Sequence, residues 1–154
     1  NTHRMVQDYA RTSYFPAHVG SSALAADHHA RARTLASWRE TVRAAWPGVS
    51  LRSEVSAPAV PRVGDTVEVT VRARLAGLSP DEVTVEVLAG HPGADGVPPT
   101  GAVPCAYIGP EGDESVFSAR VPLMDSGQLA IGARVRPTNA DAVNPFNPTL
   151  ITTE

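Results

Sequence analysis

Hydrophobic positions change period once along this chain, from a helical spacing to strict alternation, and the change falls at Pro47-Gly48. Upstream, Met5, Val6, Tyr9, Ala10 and Tyr14 recur as one side of a helix, with Asn1 or Thr2 as its cap and Pro16 as its stop. Gly20-Ser21-Ser22 then offers an N-cap for a longer helix. Along one side of that helix lie Leu24, His28, Ala32, Leu35, Trp38, Val42, Ala45 and Trp46, before Pro47-Gly48 breaks it.

Downstream the period is two. Val49, Leu51 and Val55 alternate with Ser50, Arg52 and Glu54, and Val67, Val69, Val71 and Ala73 alternate with Glu68, Thr70, Arg72 and Arg74. A turn at Leu78-Ser79-Pro80-Asp81 precedes Val83, Val85 and Val87, and a Gly/Pro-rich loop runs from Gly90 to Gly101. Further strands are expected at Val103–Tyr107, Val116–Leu123, Leu129–Val135 and Leu150–Thr152. Seven short antiparallel strands separated by turn signals predict an immunoglobulin-like β-sandwich over 49–154, preceded by two helices over 1–48, and so a mainly β chain.

Composition sharpens the division. Residues 1–48 hold both Trp and 4 of the 5 His, with a net charge of +3, against −6 for residues 49–154. The whole chain, 154 residues at −3 with no basic tract, excludes a nucleic-acid partner held by phosphate contacts. No apolar run is long enough for a membrane span, and no signal-peptide pattern opens the chain. Every basic residue other than His is Arg; without a single Lys, the chain can form neither a Schiff base nor a P-loop. A lone Cys105 rules out an internal disulfide. Starting on Asn1 rather than Met, the chain is expected to be a fragment or a processed product.

Candidate chemistry is sparse. His28-His29 has no further ligand at helical offsets, so both are expected to be solvated helix residues rather than a metal pair. The acidic stretch from Gly109 to Glu114 lacks the alternation of a calcium loop and reads as a hairpin turn. Gly90 to Gly96 has the wrong spacing for a phosphate cradle. His91 is the only histidine of the β half, and Cys105 reads as a small core residue, so no nucleophile–base pair is visible. With only Tyr107, Phe117 and Phe146 as aromatics, the β half is a poor platform for stacking sugars. The expectation is no catalytic, cofactor-binding or metal-binding residue, and no identifiable substrate site.

The opening Asn-Thr-His-Arg-Met-Val-Gln-Asp-Tyr, with Tyr14 and Pro16, resembles the segment near the end of bacterial α-glucan (glycogen/maltodextrin) phosphorylases, the branch distinct from animal glycogen phosphorylase. Trp38, Val42, Trp46 and Pro47 match the close of that family's second helix. Its β-rich tail is similar to Gly64-Asp65-Thr66-Val67-Glu68-Val69, Leu78-Ser79-Pro80-Asp81-Glu82-Val83, and the stretch from Ser126-Gly127 to Arg134-Val135-Arg136-Pro137. The resemblance implies a non-catalytic C-terminal piece: residues 1–48 ending the glycosyltransferase body, residues 49–154 an added sandwich. The parent it implies is cytoplasmic and releases glucose 1-phosphate from glycogen or maltodextrin, using phosphate and a pyridoxal phosphate held upstream of this region. None of the family's catalytic residues maps onto this chain. Two other readings stay open: a stand-alone interaction module and a carbohydrate-binding module.

Two helices this rich in aromatics cannot cover each other's apolar stripes. Met5, Tyr9, Tyr14, Leu35, Trp38 and Trp46, with Val6, Phe15 and Leu24 beside them, are therefore the candidate interface residues. Their expected partner is the remainder of the parent enzyme or, in the isolated chain, a second copy.

Overall fold

The computed structural model describes residues 2–91, 101–142 and 150–154. Helix α1 (Thr2–Tyr9) passes through a π-helical turn (Ala10–Tyr14) into α2 (Phe15–Ala45), which closes in a 3₁₀ turn (Trp46–Gly48). Pro16 does not stop the first helix as expected. It sits in the opening turn of α2, just after the Phe15 N–H has bonded the Ala10 carbonyl. That five-residue spacing has already shifted the chain out of the register in which a proline ring meets the carbonyl four residues back. Gly20-Ser21-Ser22 consequently lies inside α2 rather than capping it. The helix breaks instead at Ala26–His29, where Ala26 is extended and Asp27, His28 and His29 are left-handed, with φ of 51°, 50° and 64°.

Eight strands follow among the described residues: β1 (Ser50–Ser56), β2 (Thr66–Arg74), β3 (Val83–Gly90), β4 (Gly101–Pro104), β5 (Ala106–Glu111), β6 (Glu114–Pro122), β7 (Ala130–Pro137) and β8 (Thr152–Thr153). They form two antiparallel four-stranded sheets, ordered β1-β2-β6-β5 and β4-β3-β7-β8. In immunoglobulin lettering this is A-B-E-D facing C′-C-F-G. The count exceeds the expected seven because Val103–Tyr107 is not one strand. The Cys105 N–H still bonds the Val85 carbonyl of one sheet at 2.9 Å, and Ala106 already pairs with Ser118 of the other. Pro104 has no N–H with which to extend the ladder, and the chain changes sheets there.

Alternation places the core. Val67, Val69, Val71 and Ala73 of β2, with Phe117, Ala119 and Val121 of β6, face Val83, Val85 and Val87 of β3 and Ala133 and Val135 of β7. One end of this sandwich is closed by the C-terminal half of α2. Val42 and Trp46 are buried in the same cluster, together with Val49, Leu75 and Leu78. Leu75 and Leu78 get there through a tight turn at Ala76-Gly77, where both residues have positive φ and the Leu78 N–H bonds the Leu75 carbonyl at 3.0 Å. The expected turn before β3 is a 3₁₀ turn, Pro80–Glu82, whose Glu82 carboxylate accepts the Ser79 N–H at 2.9 Å. Most of the expected loop between Gly90 and Gly101 lies outside the described residues, as does Phe146.

Candidate docking surface

Burial divides the helical run at its break. No described residue before Ala30 is buried, while Leu35, Val42 and Trp46 beyond it are. The arm before the break carries Met5, Val6, Tyr9, Tyr14, Phe15 and Val19, each more than half exposed. In α1, Met5 and Tyr9 are four apart and share a side. The π turn then brings residues five apart over one another, so Tyr14 continues the Tyr9 stripe that a plain α-helix would have rotated away. A strongly amphipathic helix with its apolar side in water has the form of half an interface.

Of the six candidate residues, Met5, Tyr9 and Tyr14 lie on this open arm. Leu35, Trp38 and Trp46 do not: Leu35 and Trp46 are buried within the chain, and Trp38 packs half-covered against the sandwich core. The two indoles thus spend their apolar surface on the chain's own sandwich, and Leu35 is covered within the chain as well. Val19 was not among the sequence candidates because the expected helix boundary at Pro16–Gly20 put it in a linker. The indole N–H groups of Trp38 and Trp46 are buried with no acceptor among the described residues, a cost offset by the area these rings bury.

One polar contact fixes the first residues after the break. The Arg31 guanidinium grips the Asp141 carboxylate with both its Nε, at 3.3 Å, and its Nη2, while the Asp141 N–H bonds the Asn139 side chain. Two residues on, Arg33 donates back to the His28 carbonyl at 2.5 Å. Asp and His are among the few non-glycine residues that enter left-handed backbone readily. Their presence at the break is the only sequence signal it has. The ion pair, spanning 110 residues, has none.

The sandwich itself offers little chemistry. Two carboxylates of the acidic hairpin are engaged by arginine, Glu114 with Arg52 at 2.6 Å and Glu111 with Arg72 at 3.0 Å. Among the described residues no three His, Cys, Asp or Glu side chains converge. His91 lies 3.1 Å from the Gln128 carbonyl and 3.7 Å from the Asp125 carboxylate. Tyr107 leans on Phe117, ring centres 5.4 Å apart, so one of the aromatics is tied to the core. Burial pushes the Cys105 thiol up to about 11, with the nearby Glu86 charge adding to it, so it is no nucleophile at neutral pH. On the outer side of the β3–β7 pair, burial raises the Glu86 carboxyl, but hydrogen bonds from Arg136 and Arg134 outweigh it and hold the group below the usual carboxylate range. A cleft of about 500 Å³ at the end of the sandwich away from α2 is lined by Val55, Pro61, Val63, Leu123, Leu129 and Ile131, with no aromatic. Its described lining offers no aromatic ring for a sugar to stack on.

Residues 46–154 match the protein family described as glycogen phosphorylase C-terminal domain. Over 140 residues the chain is 34% identical to the glycogen phosphorylases of two Mycobacterium tuberculosis strains, CDC 1551 and H37Rv, and equally to that of Mycobacterium bovis. These alignments cover 87% of the chain, so the likeness extends upstream of the family match into the helical run. The chain spans only 16% of the length of each of these relatives.

Proposed function

The chain belongs to the glycogen phosphorylase C-terminal domain family, and on that footing we propose that its helical arm docks it onto the upstream body of a larger glycogen phosphorylase. Within such an enzyme this piece is non-catalytic: it has no acid–base constellation, and its fold is spent on a valine core. The observation that carries the docking reading is the arm itself. Six large apolar side chains stand in water on the arm, at the upstream end of the helical run into which the likeness to the relatives extends. A surface of that kind is built to be covered.

The parent's activity in this reading is transfer of a glucosyl unit from the end of an α-1,4-glucan to phosphate, in the cytoplasm. Pyridoxal phosphate would supply a phosphate group for proton transfer there, and it is held elsewhere in the parent. This chain does not fit the cofactor, because no lysine occurs at any position to form the Schiff base. No described helix is long and apolar enough to cross a membrane.

The reading is tested by producing the upstream body and this chain as separate polypeptides. Co-purification is expected, and Met5→Asp with Tyr9→Asp should abolish it while leaving the sandwich folded. A body that ignores the chain, or binds the double variant equally well, overturns the docking reading. Glucose 1-phosphate released from glycogen and phosphate by the chain alone overturns the non-catalytic one.

A further inference from the structure

We infer that Ala26–His29 is a hinge, about which the arm Thr2–Ala25 and the sandwich with its attached helix Ala30–Gly48 move as two bodies. The break is not enforced by the usual helix breakers, since the segment Ala26-Asp27-His28-His29 contains neither glycine nor proline. Three consecutive residues are nevertheless left-handed, a conformation that L side chains rarely adopt and almost never in succession. The same four residues are compatible with a right-handed helix, and Phe15–Ala45 is otherwise helical on both sides. One sequence thus has two arrangements: bent, as seen, or a straight helix about 45 Å long. Discrete alternatives of this kind, not continuous bending, are how packed elements switch.

The contacts agree with a pivot at this point. On the sandwich side, Arg31 is clamped to Asp141 and Leu35, Val42 and Trp46 are buried, so the helix from Ala30 to Gly48 is held in place. On the arm side no described residue is buried. The mechanical boundary therefore lies well upstream of the compositional shift at Pro47-Gly48. In the docking reading above, this lets the sandwich change its angle to the body while the arm stays seated. The hinge rests on that reading only for the identity of what holds the arm.

Pulsed electron–electron distance measurements on the 154-residue chain test it, with Cys105→Ala as background and nitroxides at Ser56→Cys paired with either Val19→Cys or Glu40→Cys. The Glu40–Ser56 distance should be single and narrow; the Val19–Ser56 distance should be broad or two-peaked. Asp27→Gly/His28→Gly/His29→Gly, which removes the left-handed penalty, should collect the Val19 population in the bent peak. Asp27→Ala/His28→Ala/His29→Ala should shift it at least several-fold toward the longer distance. Far-UV circular dichroism and an unchanged melting midpoint of the strands confirm that each variant is folded. A Val19–Ser56 distance that is narrow and indifferent to both triple variants overturns the hinge. So does broadening at Glu40 equal to that at Val19, which would move the pivot to Trp46–Gly48. Either result leaves the docking test untouched, because that test reads binding to the body and not the arm's angle.

Discussion

At Gly48 the close of the helical run passes so near the Ala76 turn that an added Cβ would meet the Ala76 Cβ at 3.0 Å. Gly48→Ala should therefore cost about 1 kcal/mol, as overpacking at a tight contact does. Ala76 is itself left-handed, with φ of 52°. Replacing it with glycine relieves about 1–2 kcal/mol of backbone penalty against about 0.5–1 of lost unfolded-state restriction. Ala76→Gly should be neutral to stabilising, and in its presence the Gly48→Ala penalty should fall below about 0.5 kcal/mol. Denaturant unfolding of the four proteins reads this coupling directly; strictly additive values would show that the two positions do not touch. Glu86 makes the second prediction at this scale. Its carboxylate is paired by Arg134 and Arg136 under cover, so Glu86→Gln should cost about 2 kcal/mol near neutrality. Because the folded carboxyl sits below its usual range, that stabilisation is complete above the unfolded value and is lost as pH falls through the folded one. The gap between wild type and Glu86→Gln should accordingly close as the solution is acidified past the ordinary carboxylate range. A gap that widened on acidification would reverse the assignment.

Strands were legible where one side of a sheet meets the core and the other meets water. β2 is the clearest: alternate residues from Val67 to Ala73 are buried and their neighbours are not. The same alternation could not show that Val103–Tyr107 divides between sheets, because a strand that crosses the sandwich keeps its period while changing partners. Helix ends were read from Pro16 and Gly20, and both misled; the π turn and the left-handed break that replace them are set by backbone geometry that residue type barely encodes. Candidate interface residues were legible as apolar helix positions, but their spacing does not announce that the sandwich covers only the half holding Val42 and Trp46, nor that Arg31 there meets Asp141. That contact makes its own prediction. Arg31→Ala should cost about 0.5–1 kcal/mol, the worth of a half-exposed bidentate pair. Hydrogen exchange should quicken at Ala30–Leu35 and stay unchanged in β2, and equal acceleration in both would mean the pair supports the whole fold. Cys105, at the crossing between sheets, should react with a thiol reagent at pH 8 about a hundredfold more slowly than an ordinary exposed cysteine, since burial holds its thiol up at about 11 and leaves little thiolate.

For the molecule as a whole, the open question posed by its arm is what covers it when the chain is alone. Leu35, Trp38 and Trp46 already pack within the chain, so the surface available to a second copy is Met5, Val6, Tyr9, Tyr14, Phe15 and Val19. These side chains are between half and two-thirds exposed, so covering one completely returns about 1–1.5 kcal/mol; two narrow arms that cross cover about half of each patch, six of the twelve side chains, and so return about 6–9. Association of two free chains costs about 4–15 kcal/mol before any gain appears. What remains is at best about 5 kcal/mol, equivalent to a dissociation constant of about 0.2 mM or weaker. Joined to an upstream body by its own backbone, the same arm meets its partner at an effective concentration of millimolar order, and the same modest surface suffices to dock it. A patch of this size therefore suits a tethered contact better than a free dimer. Sedimentation equilibrium of the isolated chain at 20–50 micromolar should return a 16.2 kDa monomer, with association emerging only toward millimolar concentration. A stable dimer at 20 micromolar, dispersed by Tyr9→Asp, would make the arm a self-association surface and remove the argument that it is reserved for the body.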